Sequence, residues 1–347
     1  MDKQQIIIKI NLNILFMLII SRTPFRISFF GGGTDFPEWF ENNNGLTIST
    51  TINKYCNILV RYLPPFFDFK YRLRYYKTEL VKNKNQIKHP TINKIIKNFY
   101  KGNKGLEVIH YADLPARSGL GASSAFSVGL LKAIYDLNKK KISNNEIADK
   151  IINLEKYELK ESCGFQDQVS CSIGGFNEIY FSKKKKFDIK KSQISIVKKK
   201  LLEQSITLFF TGISRNANKI ERSKINNISC NKNYFNEIYN LALEAKNTFN
   251  SKNEKDFIKD ISYLMNENWK LKKSLSRNVT NNKIDDIYDF ALKNGAYSGK
   301  ILGAGGGGFL LFFTKNSKDK KRLIEKMSKH TYVEIKFSED GCKSLIY

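Results

Sequence analysis

The sequence is short of the residues on which much metal and disulfide chemistry depends. It contains five cysteines in 347 residues, widely spaced and without a CxxC pair, and three histidines without HExxH spacing. These shortages argue against a disulfide framework, a zinc site and a histidine-based triad, and they fit a reducing cytoplasm. If the chain is an enzyme, its chemistry must rest on other groups.

Acidic residues and long apolar runs are also scarce. Asp and Glu total 33 against 59 Lys and Arg, a net charge of +26, and the mean hydropathy is −0.41. The hydropathy excludes a polytopic membrane protein. The lysines are dispersed among Asn and Ile, which is typical of a compositional bias, and no basic helix or RNP-type aromatic run indicates a nucleic-acid binder. We therefore expect small-molecule partners, no nucleic acid and no membrane, with a homodimer left open.

The first residues do not have the pattern of a targeting signal. Residues 14–20 are apolar, but the run is too short to span a bilayer and no small-residue cleavage site precedes Ser21. Met17 can begin an opening β-strand. We expect residues 1–16 to be a disordered or spurious extension.

Strand and helix signals alternate along the chain, which predicts a mixed α and β protein. A lysine-rich stretch, 183–200, is expected to be an exposed hairpin or linker, and it puts a domain boundary near residue 200. Strands are predicted at 26–30, 46–60, 107–111, 206–211 and 309–314, and helices at 125–137, 145–160, 233–248 and 254–275.

The segment LPARSGLGASSAF places glycines and serines at the start of an amphipathic helix. Gly119 and Gly121 let the backbone approach a ligand, and the helix start offers N–H groups and a favourable dipole to an anion. Ser123 and Ser124 add hydroxyls suited to Mg²⁺ or phosphate oxygens. The segment lacks the lysine of a Walker loop. The alternative is a serine-capped helix after a glycine turn.

A second polar segment, SRTPFRISFFGGGTDFP, follows a strand into three glycines. Asp35 can accept hydrogen bonds from sugar hydroxyls, and Arg26 can hold phosphate oxygens. The alternatives are an Asx turn for Asp35 and a surface ion pair for Arg26.

Two carboxylates, Glu155 and Asp167, flank a break at Gly164 that allows both to face one site. One carboxylate on Mg²⁺ and another beside the acceptor hydroxyl is the usual division of labour in phosphoryl transfer. Glu158 and Glu161 are competing candidates.

A glycine-rich segment, GAGGGGF, matches GxGxxG but leads into a strand rather than a helix. This context argues against a dinucleotide-binding fingerprint. We expect either a mobile loop that closes over a ligand or a glycine-rich hairpin turn.

These four segments occur in the order of the signatures of GHMP kinases, the superfamily of galactokinase, homoserine kinase, mevalonate kinase and phosphomevalonate kinase. PxRIxFxGGGTD resembles the first motif, GLGASSA the second and GAGGGG the third, and the resemblance extends over residues 21–347. GFQDQ, TGISR and residues 76–90 are most similar to the D-glycero-D-manno-heptose 7-phosphate kinases.

The resemblance implies an α+β fold with a cleft between two domains. The N-terminal, ATP-binding domain, 17–200, would resemble domain 2 of ribosomal protein S5, and the C-terminal domain, 201–347, would be ferredoxin-like. It further implies a cytoplasmic kinase that uses ATP and Mg²⁺. The expected reaction phosphorylates the anomeric hydroxyl of heptose 7-phosphate to the 1,7-bisphosphate for nucleotide-heptose and surface-glycan synthesis. A fucose-, mannose- or galactose-like acceptor and a non-catalytic ligand-sensing relative are the alternatives.

The resemblance also implies roles for single residues. Asp167 would contact the acceptor hydroxyl, as a base or only by orienting it, with Arg26 beside it. Ser123 and Glu155 would hold Mg²⁺, although Ser124 competes with Ser123 because Ala122 stands where many members have serine. The nucleotide would contact Pro115, Gly119, Leu120, Gly121, Ala122, Ser123 and Ser124. The substrate would contact Gly32, Gly33, Thr34, Asp35, Gly305 and Gly306.

Overall fold

The first sheet is built on two long antiparallel strands, β1 (Leu18–Phe30) and β2 (Gly45–Tyr62), in a computed structural model that describes residues 17–214 and 217–347. The pairing shifts between Pro24 and Arg26, where proline has no N–H to donate to the ladder. The further strands of the sheet are β3 (Tyr71–Arg74), β4 (Thr78–Val81), β5 (Leu106–Ala112), β6 (Phe176–Phe181) and β7 (Asp188–Lys191). The predictions for residues 1–16 and for Arg215 lie outside the described residues.

Helices cover this sheet, and α3 (Ala122–Leu137) packs against both β1 and β2. Its apolar residues recur at helical spacing and are buried, as the sequence predicts. The other helical segments are α1 (Pro37–Phe40), a 3₁₀ turn (Lys84–Gln86), α2 (Pro90–Phe99), α4 (Asn144–Ile152), a π-helical segment (Asn153–Glu158), α5 (Gln166–Ile173) and α6 (Ile196–Ser205).

The second sheet has four antiparallel strands, which are β8 (Ile206–Phe210), β9 (Ala296–Ile301), β10 (Phe309–Thr314) and β11 (Thr331–Tyr332). Their order across the sheet is β11-β8-β10-β9. In chain order this is 4-1-3-2, the ferredoxin-like arrangement, which confirms the expected α+β fold. The accompanying helices are α7 (Ala217–Asn226), α8 (Lys232–Asn250), α9 (Phe257–Ser274), α10 (Asn282–Lys293) and α11 (Ser317–Lys326).

The end of the chain returns to the first sheet. Strand β12 (Phe337–Ser338) pairs with β2, and β13 (Lys343–Ile346) pairs with β1. The domain boundary near residue 200 stays a prediction. Strands β12 and β13 belong to the first sheet, although their residues lie in the predicted C-terminal domain, 201–347.

The lysine-rich stretch agrees with its prediction as a hairpin in its first part and differs from it in its second part. Residues 188–191 do form a hairpin with β6, but helix α6 follows. Ser195 caps this helix by accepting the N–H of Lys198 at 3.1 Å, and the buried Lys198 Nζ donates to the carbonyl oxygens of Thr248 and Ser251 at 2.7 Å each. A lysine that stabilises the interior cannot be told from a solvated one by composition. No helix in the described part of the chain has the length and apolar character of a membrane span.

Candidate active site

A cleft of about 370 Å³ lies between the end of β1, the start of α3, the start of α5 and the second sheet. It gathers most of the residues that the sequence predicts for the site. They are Arg26, Gly32, Gly33, Asp35, Gly119, Gly121, Ala122, Ser123, Ser124, Glu155 and Asp167.

The loop before α3 leaves the helix start open to the cleft. Gly121 precedes the helix with a φ of +76°, a left-handed conformation that favours glycine, and no side chain caps the helix. Within 17–214 and 217–347, the buried Ser118 Oγ has no hydrogen-bond partner. Uncapped N–H groups at a helix N-terminus attract anions, so the loop suits a phosphate.

Arg26 and Asp167 form a two-pronged ion pair at the base of the cleft. Arg26 Nε and Nη2 donate to the two carboxylate oxygens at 2.8 and 2.7 Å, and Nη1 donates to the Gly119 carbonyl oxygen at 2.7 Å. The arginine side chain is 3% exposed and the aspartate side chain 34%. This arrangement excludes a surface ion pair, and it links the aspartate to the loop before α3.

Glu155 is buried under the start of α3. Its carboxylate accepts hydrogen bonds from Ser127 Oγ at 2.6 Å, Gln168 Nε2 at 2.7 Å and Ser124 Oγ at 3.0 Å. Burial raises the pKa of Glu155 to about 7, and the nearby carboxylate of Glu161 adds to the rise. Among residues 17–214 and 217–347, no lysine or arginine forms an ion pair with Glu155. A divalent cation would supply the positive charge that this carboxylate lacks.

Asp35 also lines the cleft, and its carboxylate accepts the backbone N–H groups of Gly33 at 2.9 Å and Gln166 at 3.1 Å. Burial raises the pKa of Asp35 to about 6, although the two hydrogen bonds lower it. The negative charges of Asp167 and Glu221 raise this pKa further. The bond runs back to Gly33, two residues before Asp35, whereas an Asx turn would use an N–H two residues after it, so this bond differs from the Asx-turn alternative.

Several predicted contacts lie away from the cleft surface. Thr34 is fully buried, and its hydroxyl donates to the Gly31 carbonyl oxygen at 2.8 Å, so it stabilises the turn. Leu120 belongs to the core, and its carbonyl oxygen accepts the Arg26 N–H. Pro115 is exposed but does not line the cleft. The direct contacts predicted for these three residues stay predictions.

The glycine-rich segment 303–308 is packed rather than free. Gly306 donates its N–H to the Val279 carbonyl oxygen at 2.7 Å, and Gly308 donates to Ile213 at 3.0 Å. The cleft is lined by Gly303 and Ala304 instead of the predicted Gly305 and Gly306.

Sequence reasoning missed the wall that the second sheet and its helices contribute. Lys224 and Glu221 come from α7, Asn268 and Lys272 from α9, and Lys300 from β9. Lys272 Nζ donates to the carbonyl oxygens of Ile301 at 2.7 Å and Gly303 at 2.6 Å, so it holds the glycine segment. Within a lysine-rich composition nothing singled these residues out, and only folding brings them together.

Known proteins share this combination of motifs and fold. Residues 86–175 match the family model for the N-terminal domain of GHMP kinases, and residues 254–333 match the model for the C-terminal domain. A D-glycero-alpha-D-manno-heptose 7-phosphate kinase from Campylobacter jejuni is 31% identical over 336 residues, which are 94% of this chain and 98% of the relative. The chain belongs to the GHMP kinase family. It is a phosphotransferase with an alcohol group as acceptor.

Other GHMP kinases resemble the chain more distantly. A bifunctional fucokinase/GDP-fucose pyrophosphorylase from Arabidopsis thaliana is 22% identical over 334 residues, which are 90% of this chain and 31% of that protein. The crystal structure of a D-glycero-D-manno-heptose 1-phosphate kinase from Bacteroides thetaiotaomicron superposes with a TM-score of 0.76 at 22% identity, covering 94% of this chain and 98% of that one. The galactokinase of Lactococcus lactis superposes with a TM-score of 0.70 at 14% identity, covering 99% and 100%. Both structures share the GHMP kinase fold.

Proposed function

We propose that the protein is a cytoplasmic sugar kinase that transfers the γ-phosphoryl group of ATP to the anomeric hydroxyl of D-glycero-D-manno-heptose 7-phosphate. The observation that carries the proposal is the Arg26–Asp167 pair, which lies between the open helix start of α3 and the buried carboxylate of Asp35. Phosphoryl transfer needs a donor site, an acceptor site and a charge-balanced group between them.

The donor side would be the loop before α3. Its backbone N–H groups and helix dipole favour the phosphates of ATP, and the unpartnered Ser118 hydroxyl adds a donor. Ser123 or Ser124, with Glu155, would hold Mg²⁺, which when bound neutralises phosphate charge. The Glu155 carboxylate and the Ser124 hydroxyl beside it are oxygen ligands of the kind that Mg²⁺ prefers.

Asp167 is the group proposed to receive the acceptor. Its carboxylate is held by Arg26 on both oxygens while a third of the side chain remains open to the cleft. A bond forms between the acceptor oxygen and the γ-phosphorus as the bond to the ADP oxygen breaks, and the hydroxyl proton passes to Asp167. Because the transition state is loose, this proton can leave late, and fixed positioning by Asp167 supplies much of the acceleration.

The acceptor sugar would rest against Asp35. The resemblance to a heptose 7-phosphate kinase over nearly the whole chain favours heptose 7-phosphate over fucose-, mannose- or galactose-like sugars. In the proposed pathway the 1,7-bisphosphate product supplies nucleotide-heptose and surface-glycan synthesis.

The test is incubation of the purified protein with Mg-ATP and a panel of heptose 7-phosphate, fucose, mannose, galactose and mevalonate. We expect ADP release with heptose 7-phosphate at least ten times faster than with any other acceptor, and a new anomeric phosphate in the phosphorus NMR spectrum. Faster turnover of an unphosphorylated sugar would overturn the acceptor assignment. If no sugar in a wide panel gives ADP release, the ligand-sensing alternative is favoured.

A further inference from the structure

Three cationic side chains approach one another on the acceptor side of the cleft. Lys300 projects from β9, Lys224 lies on α7 and Arg26 lies on β1, and all three line the cleft. Their exposed fractions are only 3% for Lys300, 4% for Lys224 and 3% for Arg26. Buried cations at this density require compensating negative charge.

Two of the three cations have a carboxylate within the protein. Arg26 is paired with Asp167, and Lys224 Nζ lies 3.1 Å from a carboxylate oxygen of Glu221. Lys300 differs, because its Nζ donates to the backbone carbonyl oxygen of Phe29 at 2.6 Å. Among residues 17–214 and 217–347, no carboxylate forms an ion pair with Lys300. Lys300 therefore has no carboxylate partner of its own in this part of the chain.

The surroundings of Lys300 point the same way. Burial lowers the pKa of Lys300 to about 7, and the positive charges of Arg26 and Lys224 lower it further. An anion placed among these cations would favour the charged ammonium and remove their mutual repulsion. This side of the cleft therefore favours an anion beside Lys300.

The position of the cluster separates it from the nucleotide loop. Lys300 contacts the strand end that leads into the glycine turn of Asp35, and the charge of Glu221, one helical turn from Lys224, acts on Asp35. The loop before α3 contacts the cluster through Arg26, which donates to the Gly119 carbonyl oxygen. An anion held by Lys224 and Lys300 would therefore belong to the acceptor.

We propose that Lys224 and Lys300 form a phosphate subsite that binds the acceptor's own phosphate monoester. This inference rests on the proposed function, because it explains how a sugar that already carries a phosphate is told from one that does not. Lys224 would turn from Glu221 to the phosphate, which frees the Glu221 carboxylate for sugar hydroxyls. The bound phosphate would supply the charge that Lys300 lacks.

The experiment is calorimetric titration of D-glycero-D-manno-heptose 7-phosphate, and of the same heptose without phosphate, into protein saturated with Mg²⁺ and a non-hydrolysable ATP analogue. The analogue fills the nucleotide loop, so the acceptor phosphate cannot bind there. The variants are Lys224→Gln and Lys300→Met. The control is Lys270→Gln, whose side chain is 68% exposed and outside the cleft. Inorganic phosphate serves as a competitor whose binding does not depend on the sugar.

We expect the wild type and Lys270→Gln to prefer the phosphorylated heptose, and Lys224→Gln to lose about 10- to 100-fold in affinity for it. Affinity for the unphosphorylated heptose and for the ATP analogue should change by less than about threefold. Inorganic phosphate should compete in the wild type and fail to compete in the variants. If Lys300→Met does not fold, Lys224→Gln alone decides.

The other outcomes overturn the subsite in distinguishable ways. A variant that keeps the preference for the phosphorylated sugar would refute the role of these lysines and leave the proposed function standing. Equal wild-type affinity for both sugars would refute a phosphate subsite and favour an unphosphorylated acceptor. Binding of neither sugar would overturn the proposed function as well. Weakened binding of the ATP analogue in the variants would assign the cations to the nucleotide.

Discussion

Phe309 donates its backbone N–H to the carbonyl oxygen of Ser118 at 3.1 Å. This bond joins the first residue of β10 to the loop before α3, so that two glycine-rich segments far apart in the sequence touch. Gly308 lies at the contact with a φ of +91°, and a Cβ there would overlap with the Ser118 carbonyl oxygen. Glycine at position 308 is therefore needed for the close backbone approach between the segment 303–308 and the loop before α3.

Gly308→Ala should consequently disturb both stability and nucleotide binding. Gly295→Ala is the matched control, because Gly295 has a φ of +108° and no atom within 4 Å of an added Cβ. Both variants should lose about 1–2 kcal/mol from the left-handed backbone, and Gly308→Ala about 1–3 kcal/mol more from the overlap. Urea unfolding measures the difference, and titration with Mg-ATP should show weaker binding in Gly308→Ala alone. Equal losses in the two variants would mean that the contact with Ser118 is not essential.

Substitutions of the two serines at the start of α3 should differ in their effects on stability. Ser124 is buried and donates to Glu155 at 3.0 Å, whereas Ser123 is exposed. Ser124→Ala should cost about 1 kcal/mol of stability through the lost hydrogen bond, and Ser123→Ala should cost little. The double variant should weaken Mg-ATP binding by about tenfold or more. Unchanged Mg-ATP affinity in the folded double variant would remove this loop from the nucleotide site.

The features that sequence predicted well are those fixed by neighbouring residues. The helical spacing of apolar residues in α3 and the glycine turn before it depend on local geometry, and both are present. Four candidate site residues stand near a turn or near the break at Gly164, and this local signal is why the sequence indicates them. They are Arg26, Asp35, Glu155 and Asp167, and all four line one cleft.

The features that sequence missed depend on distant contacts. Nothing near Lys300 in the chain distinguishes it from the other lysines, since its burial arises from β1, 271 residues away. Strand β13 was not foreseen, because its exposed residues have no local strand pattern and pair only with β1.

Asp35 should make stability depend on pH in a particular direction. Its pKa rises from an ordinary value of 3.8 to about 6 in the folded protein, so the folded state binds the proton more tightly than the unfolded chain. The contribution of Asp35 to the free energy of unfolding is therefore largest below about pH 4, and it falls by about 3 kcal/mol as the pH rises from there through 6.

Asp35→Asn should remove that slope. Asparagine has one oxygen for the two backbone N–H groups of Gly33 and Gln166, so a pH-independent loss of about 1 kcal/mol accompanies the change. The measurement is the free energy of unfolding of both proteins between about pH 4 and pH 7. Parallel pH profiles for the two proteins would contradict the raised pKa of Asp35.

Asp167→Asn should reduce turnover by about 10² or more, because it removes the proton acceptor and the charge that Arg26 balances. It should also lower stability by about 1–3 kcal/mol, since Arg26 is 3% exposed and would be left without its carboxylate. Glu158→Gln is the control: Glu158 bonds Asn98 outside the cleft, so turnover should be unchanged. The deciding measurement is steady-state kinetics at saturating ATP, in which we expect the KM for the acceptor to stay nearly constant. More than about a tenth of wild-type turnover in Asp167→Asn would contradict its role as the base, and would turn attention to Glu161, which also lines the cleft.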